Sequence, residues 1–150
     1  MNHRQAVVRT DYDEFSKWWE AHGWTPVPKQ LLPPTGFVVY DGSGMKAAGW
    51  LLIDANVPLG VMEWIVTNPN NSPKESLLAI HIVVQQIQEL ADTIGIQSVF
   101  TTVKNGALAR VYEKDGFIVT DKNATCLVWS KSWSKAKKGT RSAKQFCIHK

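Results

Sequence analysis

The side chains whose types could take part in acid-base chemistry or hold an anion lie in two segments, residues 63–76 and 105–117. The first segment opens on Glu63, and the second contains Asn105 and Tyr112. A carboxylate and a phenol can exchange protons with a substrate, and amide or ammonium groups at a helix start can hold an anion. Each residue also has a structural interpretation, with Tyr112 as a core aromatic, Asn105 as an N-cap and Glu63 as a strand residue facing solvent. Taken singly, the structural interpretations are favoured.

No metal-ligand pattern accompanies these residues in the sequence. Cys126 and Cys147 form no C-x-x-C pair and no cysteine-histidine pair at ligand spacing, so no structural zinc site is expected. This cysteine usage favours a reducing compartment. His81 falls inside a predicted long helix, off its apolar stripe, and is interpreted as a residue on the flank of that helix. The other histidines, which show no metal spacing, are His3, His22 and His149.

Length and composition predict one soluble globular domain. A chain of 150 residues has the usual size of one domain, and two separate cores would each be too small. A hydrophobic content of 44% supplies a core, which excludes a disordered, collagen-like or disulfide-stapled chain. Residues 1–10 hold Arg4 and Arg9 and lack the apolar run of a signal peptide, and no apolar stretch has the length of a membrane span. A cytoplasmic location is therefore expected.

The positive charge is concentrated at the C-terminal end of the chain. Residues 131–150 carry seven of the 17 basic residues and none of the 13 acidic ones, which leaves 10 − 13 = −3 for residues 1–130. We therefore expect a folded domain over residues 1–130 and a basic tail over residues 131–150. Such a tail can contact nucleic acid, an acidic surface or a neighbouring chain, although solvated tails of this composition are also common.

Hydrophobic periodicity predicts an α/β domain. Apolar residues at helical spacing predict helices over residues 11–22, begun by Asp11, and over residues 77–95, and a short helix follows at 106–115. A strand-helix-strand connection around the long helix requires one parallel pair in an otherwise antiparallel sheet, with helices on both faces. The predicted strands cover residues 5–9, 37–40, 47–54, 61–67 and 96–103, with a last pair at 118–120 and 125–129.

Residues 70–76, Asn-Asn-Ser-Pro-Lys-Glu-Ser, predict how the long helix begins. Ser72 with Glu75 three residues later forms the pattern of a capping box, in which each side chain accepts the backbone N–H of the other residue. Pro73 then stands at the first helical position, where its missing N–H is not needed for the helix. The box places a carboxylate at the positive end of the helix, so this helix is expected to satisfy its own first donors.

The segment 105–117, Asn-Gly-Ala-Leu-Ala-Arg-Val-Tyr-Glu-Lys-Asp-Gly-Phe, resembles the second cofactor motif of the GNAT superfamily of acetyl-CoA-dependent N-acetyltransferases. Residues 63–69, Glu-Trp-Ile-Val-Thr-Asn-Pro, resemble its fourth strand and the proline that follows. The element order also matches, over roughly residues 5–129. The segments 31–37, 47–54 and 62–69 look like those of GNAT-like proteins encoded by phages and prophages. The resemblance implies a single-domain GNAT-like fold whose sheet splays at its parallel strand pair.

The resemblance also implies acetyl-CoA as cofactor and a small-molecule or protein amine as acceptor. Glu63 would remove a proton from the amine, directly or through water, and Tyr112 would act as general acid for the departing thiolate. The pantetheine arm of the cofactor would lie between the splayed strands. The residues that the resemblance brings to the cofactor are Val66, Thr67, Asn70, Asn71, Lys74 and Asn105.

Two alternatives remain at the level of sequence. Active members of the superfamily carry a glycine-rich loop that wraps the pyrophosphate, whereas residues 70–76 contain no glycine. The loop is therefore degenerate by comparison with active members. One hypothesis is an enzyme that transfers acetyl groups. The alternative is a GNAT-fold protein that has lost its enzymatic activity and serves as an assembly or virion component of a phage. The tryptophans also have two interpretations, since Trp19, Trp24 and Trp50 could line an acceptor pocket or belong to the core.

Overall fold

The computed structural model describes residues 1–123 of the chain. The predicted strand at 125–129 and the basic tail at 131–150 lie outside the described residues. Within the described residues, the elements in chain order are β1 (Asn2–Gln5), α1 (Val8–Ala21), a 3-10 turn (Lys29–Leu31), β2 (Gly36–Asp41), β3 (Gly44–Ile53), β4 (Leu59–Thr67), α2 (Pro73–Thr93), β5 (Ser98–Phe100) and α3 (Gly106–Lys114).

One mixed sheet carries the fold, with the strands in the order β1-β2-β3-β4-β5. The first four strands form an antiparallel meander, and β5 pairs with β4 in parallel after the crossover through α2. Apolar side chains of α1 and α2 pack on opposite faces of this sheet. The predicted fold class, a mostly antiparallel mixed sheet with one parallel pair and helices on both faces, is confirmed.

Helix α1 begins earlier than the sequence predicts, and Asp11 does not cap it. Val7 is the N-cap residue, and Asp11 lies in the first turn, where its carboxylate accepts the Val7 N–H at 2.8 Å. The Arg4 guanidinium donates to both oxygens of the same carboxylate, at 2.7 and 3.0 Å. This paired interaction joins β1 to α1. Strand β1 ends at Gln5, so the predicted strand over residues 5–9 is wrong.

Helix α2 begins as the sequence predicts. The Ser72 hydroxyl accepts the Glu75 N–H at 3.3 Å, the Glu75 carboxylate accepts the Ser72 N–H at 2.8 Å, and Pro73 is the first helical residue. The apolar stripe is buried in the middle of the helix but not at its ends, where Leu77 and Ile94 are 47% and 45% exposed. The buried residues of α2 are Ala79, Ile80, Val83, Val84, Ile87 and Ala91.

The sheet separates two apolar cores. The core on the α1 face is rich in aromatic rings, and the centroids of Phe15 and Trp50 lie 5.2 Å apart in an edge-on contact. The core on the α2 face includes Tyr112. Trp19 and Trp50 are completely buried in the first core, so these two are core residues, whereas Trp24 is only partly buried and stacks on His22 at 5.0 Å.

The parallel strand and the segment after α3 are shorter than predicted. Strand β5 covers only Ser98–Phe100, in place of the predicted 96–103. Residues 118–120 belong to no strand in the described part of the chain, and their predicted partner at 125–129 lies outside it. Helix α3 starts where the sequence predicts, because the Asn105 side chain caps it by accepting the Ala107 N–H at 2.8 Å.

Candidate active site

The parallel strand pair opens after three residues. Strand β4 pairs with β5 only at Leu59, Gly60 and Val61. From Met62 to Thr67, β4 has no strand partner on that side within residues 1–123. The resulting gap corresponds to the splay that the resemblance implies. Among the described residues it leaves one edge of β4 without a strand partner, and an edge of this kind can pair with an extended ligand that carries amide groups.

A β-bulge changes the direction of β4 beside this gap. Trp64 has a φ of +57°, and the pairing with β3 shifts between Ala48 and Trp50, so that β4 holds one more residue than its partner. As a consequence Met62 faces the α2 core while Trp64, only two residues later, faces the α1 core. The sequence contains no sign of this bulge, because position 64 holds neither glycine nor asparagine.

Glu63 lies immediately before the bulge, two residues after the last pair between β4 and β5. It is partly buried and sits opposite Trp50 of β3 in the strand register. Its charge acts on Tyr112 of α3, where it is one of the causes that raise the pKa of the phenol. The two residues that the resemblance assigns to acid-base chemistry therefore come from different elements and lie within electrostatic range of each other.

Tyr112 is a buried aromatic residue with an unusually weak acid group. Its side chain is part of the α2 core, and the ring lies 5.6 Å from that of Phe117. Burial is the largest cause of the raised pKa of Tyr112, followed by the charges of Glu63 and Asp115. The phenol therefore keeps its proton at neutral pH and can donate a hydrogen bond. This environment agrees with the core interpretation of Tyr112 and also with a donor role.

The loop before α2 uses its backbone donors internally. Asn70 N–H donates to the Asn68 side chain at 2.9 Å, and Asn71 N–H donates to the Asn68 carbonyl at 3.1 Å. Ser72 N–H is taken by the Glu75 carboxylate, and the Asn71 side chain donates to a carbonyl of β3 at 2.8 Å. Since Pro73 has no N–H, this helix start offers few backbone donors to an external anion.

The carboxylate of Glu75 also forms an ion pair with a lysine of the sheet. Lys46 of β3 is buried, and its Nζ lies 3.1 Å from Glu75 Oε1 and 3.6 Å from Asp41 Oδ2. Hydrogen bonding to Ser72 and to Lys46 lowers the pKa of Glu75 to about 2. Lys74 is exposed and forms no ion pair within the described residues. Lys74 is the one charged residue among those that the resemblance brings to the cofactor, and it faces solvent.

His81 makes a contact that the sequence interpretation missed. Its Nδ1 lies 2.5 Å from Asp115 Oδ1, so the residue assigned to the helix flank joins α2 to the end of α3. The two residues are 34 positions apart, and no local spacing could have indicated the pair. Asp115, which occupies the variable position of the Tyr-Glu-Lys-x-Gly-Phe segment, was not among the predicted site residues.

The described part of the chain holds neither a membrane-spanning helix nor a cluster of metal ligands. None of the helices found there combines the length and apolar character that crossing a membrane requires. Residues 1–123 also contain no group of three or more potential metal ligands gathered at one place.

The chain has the fold of solved acetyltransferase structures. A glucosamine-6-phosphate N-acetyltransferase from Arabidopsis thaliana matches 84% of this chain and 97% of its own with a TM-score of 0.63 and 13% identity. An acetyltransferase from Trypanosoma brucei matches 85% and 99% with a TM-score of 0.60 and 13% identity. An N-acetylglutamate synthase from Neisseria gonorrhoeae, complexed with coenzyme A and N-acetyl-glutamate, matches 75% of this chain and 27% of its own, with a TM-score of 0.57 and 14% identity.

The similarity is structural, because no family model matches the sequence and no curated protein matches it either. At 13–14% identity the three structures establish the fold alone. The GNAT-like fold predicted from the sequence is thereby confirmed. The resemblance to phage-encoded members stays a prediction.

Proposed function

We propose that the protein is an N-acetyltransferase that transfers an acetyl group from acetyl-CoA to an amine. The observation that carries this proposal is the parting of β4 from β5 after Val61, as far as residues 1–123 show, next to the bulge at Trp64 and near Glu63 and Tyr112. A fold shared with acetyltransferases supports the reaction class. Acetyl-CoA, when bound, supplies the acetyl group as a reactive thioester.

Glu63 is proposed as the base. An amine attacks an acyl carbon only through its free lone pair, so a protonated amine must first lose a proton. The partly buried carboxylate of Glu63 stands immediately before the bulge and can accept that proton directly or through one water. The acceptor is a small-molecule or protein amine.

Tyr112 is proposed as the donor to the leaving sulfur. A thiol ordinarily has a pKa of about 8.5, and the raised pKa of Tyr112 makes its phenol a weaker acid than such a thiol. Complete proton transfer from Tyr112 to a thiolate is therefore uphill. The hydroxyl contributes mainly by a hydrogen bond to the sulfur as negative charge develops there.

The predicted cofactor contacts fit one part of acetyl-CoA better than the other. Val66 and Thr67 of β4 are proposed to meet the amide groups of the pantetheine arm, where the Thr67 carbonyl also contacts His22 Nε2 at 2.9 Å. Asn105, whose side chain caps α3, is proposed to contact the same arm. The self-capped start of α2 suits the pyrophosphate less well, since most of its backbone donors are used within the loop and the cap. We assign the phosphates to side chains, namely those of Asn70, Asn71 and Lys74.

A second candidate function is a GNAT-fold protein without acetyltransferase activity that works as an assembly or virion component. The observation that favours it is the capping box reinforced by Lys46, which places an internal carboxylate where the pyrophosphate would lie. Neighbouring chains or nucleic acid would then be the partners of the basic tail, which lies outside the described residues.

Calorimetric titration with acetyl-CoA separates the two candidates. We expect binding in the micromolar to millimolar range, and absence of heat at about 1 mM cofactor, which corresponds to about 4 kcal/mol of affinity, contradicts the enzyme and favours the assembly protein. With binding established, release of free thiol is followed over a panel of primary amines. Glu63→Gln should lower kcat while the Kd for acetyl-CoA stays unchanged, and Glu89→Gln on the exposed side of α2 is the matched control.

A further inference from the structure

Helix α3 is joined to α2 by two hydrogen bonds that both end on Asp115. His81 Nδ1 lies 2.5 Å from Asp115 Oδ1, and the Gln88 side chain donates to the Asp115 carbonyl oxygen at 2.7 Å. His81 and Gln88 are seven residues apart, which is two turns, so both lie on the side of α2 that faces α3. The end of α3 is therefore held through a side chain and through its backbone.

Asp115 occupies a position where a carboxylate is unfavourable. It is the C-cap residue of α3, next to the negative end of the helix dipole, and its side chain is only 4% exposed. Its second oxygen, Oδ2, is buried without a hydrogen-bond partner among the described residues. A buried carboxylate of this kind costs free energy unless a donor compensates it, and His81, with a side chain 41% exposed, supplies that donor.

Tyr112 lies one turn before Asp115 and shares its environment. The backbone carbonyl of Tyr112 accepts the N–H groups of Asp115 and Phe117 at 2.9 and 3.0 Å, so the turn that closes α3 is built on Tyr112. The charged groups that act on the phenol come from two elements, Glu63 of β4 and Asp115 of α3, and His81 of α2 adjoins the second of these. A shift of Asp115 must therefore displace Tyr112 or change the charge that it experiences.

We propose that His81 and Asp115 form a positioning pair that holds the Tyr112 hydroxyl in place beside Glu63. Neither residue needs to touch a substrate, so their part in catalysis is to fix the donor. The consequence for catalysis rests on the proposed function, whereas the positioning itself is a property of the folded chain.

The positioning can be measured without substrate. The chain has three tyrosines, so labelling each ring at Cζ with carbon-13 gives three resonances, and Tyr112→Phe identifies one of them. His81→Ala should shift the Tyr112 resonance, and His81→Asn should restore it, because an asparagine amide can donate near the position of Nδ1. Gln85→Ala, an exposed change on the same helix, is the control and should leave the resonance in place.

The effect of the Asp115 charge on Tyr112 is tested by following the same resonance during a pH titration. Asp115→Asn removes a negative charge that raises the pKa of Tyr112, so the phenol should ionise at lower pH than in the unaltered protein. In the active enzyme, His81→Ala should lower kcat by about ten-fold or more with little change in acceptor KM, since a misplacement of about 1 Å can cost about 100-fold.

The outcomes separate the pair from the proposed function. A Tyr112 resonance that is shifted by His81→Ala and restored by His81→Asn supports the positioning pair even if the protein transfers no acetyl group. An unchanged resonance in folded His81→Ala, together with an unchanged titration in Asp115→Asn, overturns the pair even if the enzyme is active. Where His81→Ala does not fold, Gln88→Ala removes the hydrogen bond from α2 to the Asp115 carbonyl oxygen. An unmoved Tyr112 resonance in that variant also overturns the proposal.

Discussion

Lys46 and Glu75 connect the middle of the sheet to the first turn of α2 through an ion pair of 3.1 Å. The lysine is buried, and its hydrogen bond to Glu75 raises the pKa of the ammonium group. The same carboxylate closes the capping box with Ser72. One side chain therefore both caps the helix and neutralises a buried cation, which makes the start of α2 a stabilised structural joint in the absence of any ligand.

The first prediction concerns the cap. Ser72→Ala should lower the free energy of unfolding by about 1 kcal/mol, the usual cost of a lost N-cap. Chemical denaturation followed by circular dichroism measures the change. Ser76→Ala in the same first turn is the control and should not destabilise, because alanine is the better helix former inside a helix. Equal stability of Ser72→Ala and the unaltered protein would contradict the cap.

The second prediction is a pH dependence of stability. The pKa of Glu75 is lowered from 4.5 to about 2, so its stabilising contribution is complete above pH 4.5 and disappears as the pH falls towards 2. The unaltered protein should lose stability over that interval more steeply than Glu75→Gln, which has no carboxylate to protonate. Urea midpoints measured from pH 6 down to pH 2 give both curves. Parallel curves would mean that Glu75 is not the titrating group.

The third prediction asks whether the self-capped loop limits cofactor binding. Replacing Pro73 and Glu75 together by glycine restores a backbone donor and removes the carboxylate from the start of α2. The affinity for acetyl-CoA, measured by calorimetry on protein shown to be folded, should rise. Glycine in the first turn and the loss of the Lys46 contact both reduce stability, so each titration needs a melting curve beside it. Unchanged or weaker binding would show that the missing glycines are not the limiting feature.

Features that depend on local spacing could be predicted from the sequence. The capping box at Ser72 and Glu75 and the N-cap at Asn105 involve residues two or three positions apart, and the structure contains all of them. The parallel pair follows from the length of the crossover through α2. Asp11 was misplaced because its partner Arg4 belongs to a different element, so the local pattern pointed to a cap that the tertiary contact overrides.

Features that depend on distant partners could not be predicted. The bulge at Trp64 follows from how β4 fits against β3 and the two cores, and a tryptophan with positive φ carries no local signal. The His81–Asp115 pair and the Lys46–Glu75 pair each join residues about thirty positions apart, 34 and 29 respectively. These long-range contacts surround the candidate site, so its geometry could not be predicted from local spacing. The roles of its residues stay predictions.

The fourth prediction uses the residue that faces the bulge. A Cβ at Gly49 would lie 2.7 Å from Val83 Cγ1 and 2.8 Å from Ile65 Cγ1, so in Gly49→Ala the Val83 side chain of α2 and the Ile65 side chain of β4 must shift. We expect a loss of about 1–3 kcal/mol in the free energy of unfolding, the usual cost of overpacking. Gly42→Ala is the matched control, since a Cβ there meets no atom within 4 Å. A tolerated Gly49→Ala would mean that the sheet and α2 are less closely packed than the structure indicates.

The last prediction concerns the donor itself. Tyr112→Phe keeps the buried ring and removes only the hydroxyl, so packing against Phe117 and the α2 core should persist. If the hydroxyl stabilises the departing sulfur, kcat for acetyl transfer should fall by about 100-fold or more, the usual effect of losing a hydrogen-bond donor to a developing negative charge. The Kd for acetyl-CoA should stay within about two-fold, because a contact made only in the transition state does not contribute to ground-state binding.

Tyr12→Phe provides the control for this experiment. Its hydroxyl donates to the Val27 carbonyl at 2.8 Å, on the α1 face of the sheet, so the variant loses an ordinary hydrogen bond worth about 1 kcal/mol of stability and should keep its kcat. Equal kcat in Tyr112→Phe and the unaltered protein would remove Tyr112 from the mechanism and leave it as a core aromatic. A fall in kcat confined to Tyr112→Phe would instead assign the hydroxyl to the reaction, since the two variants delete the same group at different places in the fold.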